Sequence, residues 1–185
     1  ICRDRVDRGA VRAAVVNAGN ANAETGEKGL ADAWAMCERT GAELGLAPQA
    51  VAVAETGVIG VPLPIEAVLD GIGEAAGTLS ESGAAAFSDA ILTTDRWPKS
   101  CTLRAGGVTL SAQAKGGGMI QPGFATMLCF IQTDAVVENP EHDLRAAVDA
   151  SFERITVDGQ MSTNDTVLLQ ATGEAGAPLP DGLLE

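Results

Sequence analysis

The chain has 185 residues, 46% of them hydrophobic, which suffices for one domain with a real core or for part of a larger one. Its formal charge of −13 and 3% aromatic content leave no basic, base-stacking footprint for nucleic acid and disfavour anionic membranes. No apolar run reaches the roughly 20 residues of a membrane span, and the start Ile-Cys-Arg-Asp-Arg is unlike a signal peptide.

Val11 to Asn17 reads as a short buried strand, followed by a loop rich in Asn and Gly through Gly26. Helical periodicity runs from about Gly29 to Leu46, with Leu30, Trp34, Cys37 and Leu44 expected on one face. Val51 to Ala54 is a second short strand, expected to end in a turn at Glu55-Thr56-Gly57. Helices are predicted near Pro64 to Ala76 and Gly83 to Leu92. Cys101 to Arg104 and Val108 to Ala114 form a predicted hairpin around Ala105-Gly106-Gly107, because a glycine pair suits a tight turn. Thr126 to Thr133 is the most apolar strand candidate and is expected to be central. A helix from Glu141 to Arg154 carries Leu144, Ala147, Val148 and Phe152 at suitable spacing. An apolar segment starts at Thr166 to Leu169, and the tail from Gly173 is loop-like. With no repeat and no clear linker, the expectation is one domain over residues 1–185, an α/β or α+β sandwich of undetermined topology.

The four cysteines, Cys2, Cys37, Cys101 and Cys129, are scattered and form no CxxC pair, so reduced, partly buried thiols and a cytoplasmic protein are expected. With a single histidine, His142, a multi-histidine metal site is impossible and no metal is expected. His142 sits at a helix start and reads as a surface residue. The glycine run at 116–118 lacks the order of a phosphate loop.

Lys115-Gly-Gly-Gly-Met-Ile-Gln-Pro-Gly-Phe-Ala125-Thr126 suits a chain that cuts itself after Ala125 and exposes Thr126. A terminal threonine needs no histidine, because its own α-amine, with a pKa of about 7.7–8.0, can be the base. The same residues also read as a glycine-rich turn entering a strand. At Glu55-Thr56-Gly57 the Gly57 N–H and the Thr56 hydroxyl could hold an oxyanion, or the glycine could serve a turn. Lys115 could pair with a substrate carboxylate or be a solvated surface lysine. Thr93-Thr94-Asp95 and Ser162-Thr163-Asn164-Asp165-Thr166 read as turn and capping chemistry.

Taken in order, these pieces form a series. It runs Asn17-Ala-Gly-Asn-Ala-Asn-Ala-Glu-Thr-Gly26, Thr56-Gly-Val-Ile-Gly60, Thr93-Thr-Asp with Pro98-Lys99, Lys115-Gly-Gly-Gly-Met with Pro122 and Ala125-Thr-Met-Leu128, then Asp158-Gly with Ser162-Thr-Asn-Asp-Thr166. Over about residues 11–170 the series resembles the ornithine acetyltransferase (ArgJ) family.

The resemblance implies a layered αββα sandwich of the DmpA/ArgJ-like type, here incomplete. It implies self-cleavage between Ala125 and Thr126, with 1–125 part of an α chain and 126–185 part of a β chain, and an α/β heterotetramer of the processed chains. It further implies transfer of acetyl from N-acetyl-L-ornithine to L-glutamate through an acyl-threonine intermediate, in cytoplasmic arginine biosynthesis. Carried over by motif, Thr126 is the nucleophile, Thr56 and Gly57 form the oxyanion hole, and Thr93, Lys115 and Thr126 contact substrate. No metal or organic cofactor is implied, although some members also take acetyl from acetyl-CoA. Departures from the family pattern are Glu24 where Cys is common, Arg96 where a smaller polar residue is usual, and Phe124 for Met. Family members are about twice as long, so the chain looks like an internal fragment. A related N-terminal-nucleophile aminopeptidase, and a silent domain of the same fold, are the alternatives.

Overall fold

The computed structural model describes residues 1–122, 124–125 and 127–184, with backbone alone at Phe124 and Ala125. Thr126, the expected nucleophile, lies outside the described residues. Two compact units emerge, Ile1–Thr93 and Thr94–Glu185.

In the first unit β1 (Ala13–Asn20) and β2 (Val51–Val58) pair in parallel, joined by helix α1 (Gly26–Leu44). The predicted turn at Glu55-Thr56-Gly57 is instead strand. The ladder continues through Asn17↔Glu55, Ala18↔Thr56 and Gly19↔Gly57, which also carries β1 three residues past its predicted end. Two facing glycines make this possible, because Gly19 (φ 120°) and Gly57 (φ 132°) adopt backbone that L side chains rarely enter.

The buried face of α1 holds Gly29, Ala33, Met36, Cys37, Thr40 and Gly41; of the expected face Cys37 is buried, Trp34 and Leu44 are half-buried, and Leu30 is 45% exposed. Small residues line the contact, so a search for large apolar side chains finds the neighbouring stripe. Met36, Leu63 and Ile72 form the core with Val15 and Val53, and α2 (Ile65–Gly77) supplies Val68 and Leu69. Each fully buried side chain of this size contributes about 1.5–3 kcal/mol. Helix α3 (Ala84–Ala90) follows near its predicted place.

In the second unit β3 (Lys99–Ala105) and β4 (Val108–Lys115) form the predicted hairpin. Its turn needs both glycines, since Gly106 and Gly107 have φ of 58° and 83°, as a primed hairpin turn requires. Two short strands not foreseen in the sequence, β5 (Ile120–Gln121) and β6 (Phe124–Ala125), pair antiparallel. β7 (Leu128–Thr133) and β8 (Thr166–Ala171) pair in parallel through helix α4 (Pro140–Ala150), giving the order β3-β4-β7-β8. β7 is therefore interior as expected, and Leu128 through Ile131 are buried on both of its faces.

Leu144 of α4 and Phe152 pack on Leu110, Cys129 and Ile131. The predicted 141–154 helix breaks at Ser151, whose hydroxyl donates to Ala147 O at 2.6 Å, and resumes as a single tight turn at Phe152–Arg154. Each unit thus sets helices against a sheet, an α/β layered fold. All four cysteines are free, and burial pushes the Cys37 and Cys129 thiols up to about 12 and about 11. Such thiols are inert at neutral pH. No helix among the described residues is long and apolar enough to cross a membrane.

Candidate active site

Thr56 and Gly57 lie near the end of β2, with Thr56 buried. A Cβ on Gly57 would stand 2.3 Å from Gly19 C and 2.5 Å from Gly19 O, so this position admits only glycine while the strands stay paired. The Asn-rich loop beside it is built from amide side chains bonded to backbone. Asn17 Nδ2 donates to Asn20 O at 2.8 Å, Asn20 Nδ2 to Val61 O at 2.9 Å, and Asn22 N–H to Asn20 Oδ1 at 2.8 Å. The first signature thereby shapes the loop that follows β1 and ties it to the segment after β2.

Sequence reading missed Glu55. Its carboxyl is buried next to Thr56, with Oε2 accepting from Asn22 Nδ2 at 3.0 Å and no hydrogen-bond partner for Oε1 among the described residues. Burial, and secondarily the Asp32 charge, push its pKa up to about 7 against the opposing Asn22 bond. The folded state therefore binds this proton more tightly than the unfolded state does. The associated stability is complete below about pH 4.5 and is lost as pH rises through about 7, up to about 3 kcal/mol. Glu55→Gln is expected to raise the thermal midpoint at pH 8 and to change it little at pH 4. Equal shifts at the two pH values would contradict a buried, titrating Glu55.

In the second unit Asp95 is a hub. Its fully buried side chain accepts from Lys99 Nζ at 2.5 Å and from Gly116 N–H at 2.7 Å, and Lys115 Nζ stands 4.0 Å from Oδ2. Burial alone would raise the Asp95 pKa, but the Lys99 bond, the Gly116 N–H and the two lysine charges bring it below the usual carboxylate range. Lys115 is buried on β4, not a solvated lysine. Burial lowers its pKa and Lys99 adds to this, while Asp95 and Asp165 oppose it. The sequence offered Thr93-Thr94-Asp95 as a turn; the structure makes Asp95 the support of the lysine and of the first glycine after it. Thr93 itself is exposed and is the last residue of the first unit.

The backbone on either side of position 126 is held by the segment 156–166. Met119 N–H and Ile120 N–H donate to Asp158 at 2.7 and 3.0 Å, and Ile120 pairs across β5–β6 with Ala125. On the other side of position 126, Met127 N–H donates to Asp165 Oδ1 at 3.0 Å and Met127 O accepts from Thr166 N–H at 3.0 Å. Backbone N–H groups, that of Met119 first, keep the Asp158 carboxyl below its ordinary range. The last two signatures are turn and capping chemistry in kind, aimed at the residues around Ala125. His142 is exposed, with Nδ1 3.1 Å from Asp143, as its sequence position suggested.

Thr56 and Gly57 therefore stand together in the first unit, and Lys115 with its acidic partners in the second. Thr56 is buried within the β1–β2 pair and Lys115 beside the Asp95 carboxylate.

Comparison with known proteins gives a consistent result. The model of the ArgJ family matches residues 1–182. A relative from Symbiobacterium thermophilum, the arginine biosynthesis bifunctional protein ArgJ, is 50% identical over 184 residues, covering 96% of this chain and 46% of the relative. The protein of the same name from Thermus thermophilus is 49% identical over 170 residues, 90% of this chain and 43% of that one. The crystal structure of ornithine acetyltransferase complexed with ornithine from Mycobacterium tuberculosis is similar with a TM-score of 0.51 and 30% identity, over 60% of this chain and 61% of that one. The chain spans just under half the length of the curated relatives it matches.

Proposed function

The chain belongs to the ArgJ family, and on that premise we propose that it is part of an acetyltransferase of arginine biosynthesis. In this reading it moves acetyl from N-acetyl-L-ornithine to L-glutamate. The observation that carries the reading is 50% identity over 184 residues to a protein named for that pathway.

Maturation begins with attack of the Thr126 hydroxyl on the Ala125 carbonyl carbon. The peptide C–N bond gives way to an ester, and water then hydrolyses the ester. This leaves a carboxylate on Ala125 and a free α-amine and hydroxyl on Thr126. In the transfer cycle that amine takes the hydroxyl proton as the oxygen attacks the acetyl carbonyl, and returns a proton to the departing ornithine amine. The glutamate amine then attacks the acetyl-threonine ester and regenerates the hydroxyl. Thr56 and Gly57 stabilise the oxyanion in each tetrahedral intermediate. Thr93, Lys115 and Thr126 hold substrate, Lys115 as the cation for a carboxylate.

Support for these roles comes from the close Gly19–Gly57 approach that shapes the end of β2, and from the buried Asp95–Lys115 pair. The cycle requires no metal or organic cofactor, and acetyl-CoA is a second acetyl donor in the same scheme. Residues 1–185 then belong to one ArgJ-like domain, cut into two chains that stay together as an α/β heterotetramer in the cytoplasm.

The test is made on the full-length gene product. Ornithine release from N-acetylornithine is followed with and without glutamate, beside intact mass under denaturing conditions for wild type and Thr126→Ala. Pieces split after Ala125 in the wild type only, with glutamate-dependent release, are expected. Release independent of glutamate would make the protein a hydrolase, and an uncut, inactive wild type would make it a silent member of the fold.

A further inference from the structure

We infer that Asp165 is a positioning residue for the nucleophile: its carboxylate holds the Met127 N–H and thereby orients the residue that precedes it. The inference rests on the reading of Thr126 as nucleophile. Once the bond after Ala125 is cut, an N-terminal residue is attached to the protein by a single peptide unit, and chain ends fray unless tied. That unit is planar, so a hold on its N–H fixes the plane shared by both residues it joins.

The hold is present on both sides of Met127. Asp165 Oδ1 accepts the Met127 N–H at 3.0 Å, and the next residue, Thr166, donates its own N–H to Met127 O at 3.0 Å. Thr166 is the first residue of β8 and lies opposite Leu128 of the interior strand β7, so the tie joins the exposed Asp165 to the start of the β7–β8 ladder. A carboxylate acceptor makes the bond charge-assisted, roughly twice as strong as a neutral one. Lys115 lies across the ladder from the same Leu128, and Asp165 is among the negative charges that favour its protonated form. Asp158 has the opposite assignment, since it binds Met119 and Ile120, which belong to the piece released from Thr126. The positioning role falls to Asp165 because its tie survives the cut on the nucleophile's own chain.

The experiment uses the full-length protein and follows cutting by intact mass, then kcat and KM for N-acetylornithine on the cut material. Asp165→Ala is expected to cut slowly and to lose about 100-fold in kcat with KM within about 3-fold, the loss that a small misplacement of a nucleophile brings. Asp165→Asn keeps an acceptor for the Met127 N–H and is expected to recover most of the rate. If Asp165→Ala does not fold, Asp165→Glu reads the same split, with about a 10-fold fall in kcat expected as the acceptor is displaced. An Asp165→Ala protein as fast as wild type overturns the inference, as does an Asp165→Glu protein with wild-type kcat. So does a rise in KM at constant kcat, which would place the effect in substrate binding at Lys115. Asn and Ala variants equally slow would replace the hold by a charge effect and also overturn it. A wild type that transfers no acetyl overturns the inference together with the reading beneath it.

Discussion

Gly57→Ala is expected to cost the protein roughly 2–6 kcal/mol of stability and about 100- to 1,000-fold in kcat for acetyl transfer. The stability loss has two sources. The backbone at φ 132° is one that an L side chain rarely adopts, and strain of this kind costs about 1–3 kcal/mol. The new methyl would also stand 2.3 Å from the Gly19 carbonyl carbon and 2.6 Å from Asn20 N, and these are backbone atoms that no rotamer change can move aside. β1 and β2 would have to part at the Gly19↔Gly57 register, where the ladder approaches its bulge at Asn20. The rate loss follows if Gly57 N–H is an oxyanion donor, because donors act only within a few tenths of an ångström of their place. Gly60→Ala is the control, with positive φ but open space around its missing Cβ. It should cost only the strain. Thermal unfolding and transfer assays on both variants check this, and equal losses in the two would refute the argument from close approach.

The residues that local rules govern were legible in the sequence. Gly106-Gly107 announced its hairpin, and Leu128 to Ile131 announced an interior strand. What escaped has identifiable causes. Periodicity weighs large apolar side chains, so it placed the contact face of α1 on Leu30 and missed the small residues Gly29, Ala33 and Gly41, which do the packing. Glycine in Glu55-Thr56-Gly57 suggested a turn, because a strand through a glycine needs a partner glycine 38 residues away to explain it. The acidic supports were the hardest to see. Asp158 and Asp165 bind backbone 38 or 39 residues earlier and Asp95 binds Gly116 21 residues later, spacings that no local pattern encodes. Their motifs could be quoted, but their targets could not. Buried Glu55 gave no signal at all, since an exposed glutamate and a buried one are spelled alike.

Asp95→Ala is the second large effect expected, about 3–5 kcal/mol of destabilisation together with weaker substrate binding. The carboxylate is wholly buried, and its removal strands the Gly116 N–H and takes away the Asp95 charge 4.0 Å from the buried Lys115 ammonium. Lys115 already has a lowered pKa and would fall further, shedding the charge that a substrate carboxylate needs. KM should therefore rise more than kcat falls, and most steeply above neutral pH. Asp95→Asn retains an acceptor for Gly116 and should recover the backbone part of the loss while keeping the KM defect. Lys99→Ala removes only a partner that is 44% exposed, and should cost about 1 kcal/mol or less. The sign of the pH dependence is fixed by the depressed folded-state pKa of Asp95. Its contribution is present above the ordinary value of 3.8 and disappears as pH falls through the lower folded value, so the gap between wild type and Asp95→Ala should close in acid. Denaturant titrations at pH 7 and at pH 3 read this directly. A gap that persists unchanged in acid would mean that Asp95 stabilises by packing, and that Lys115 holds its charge by other means.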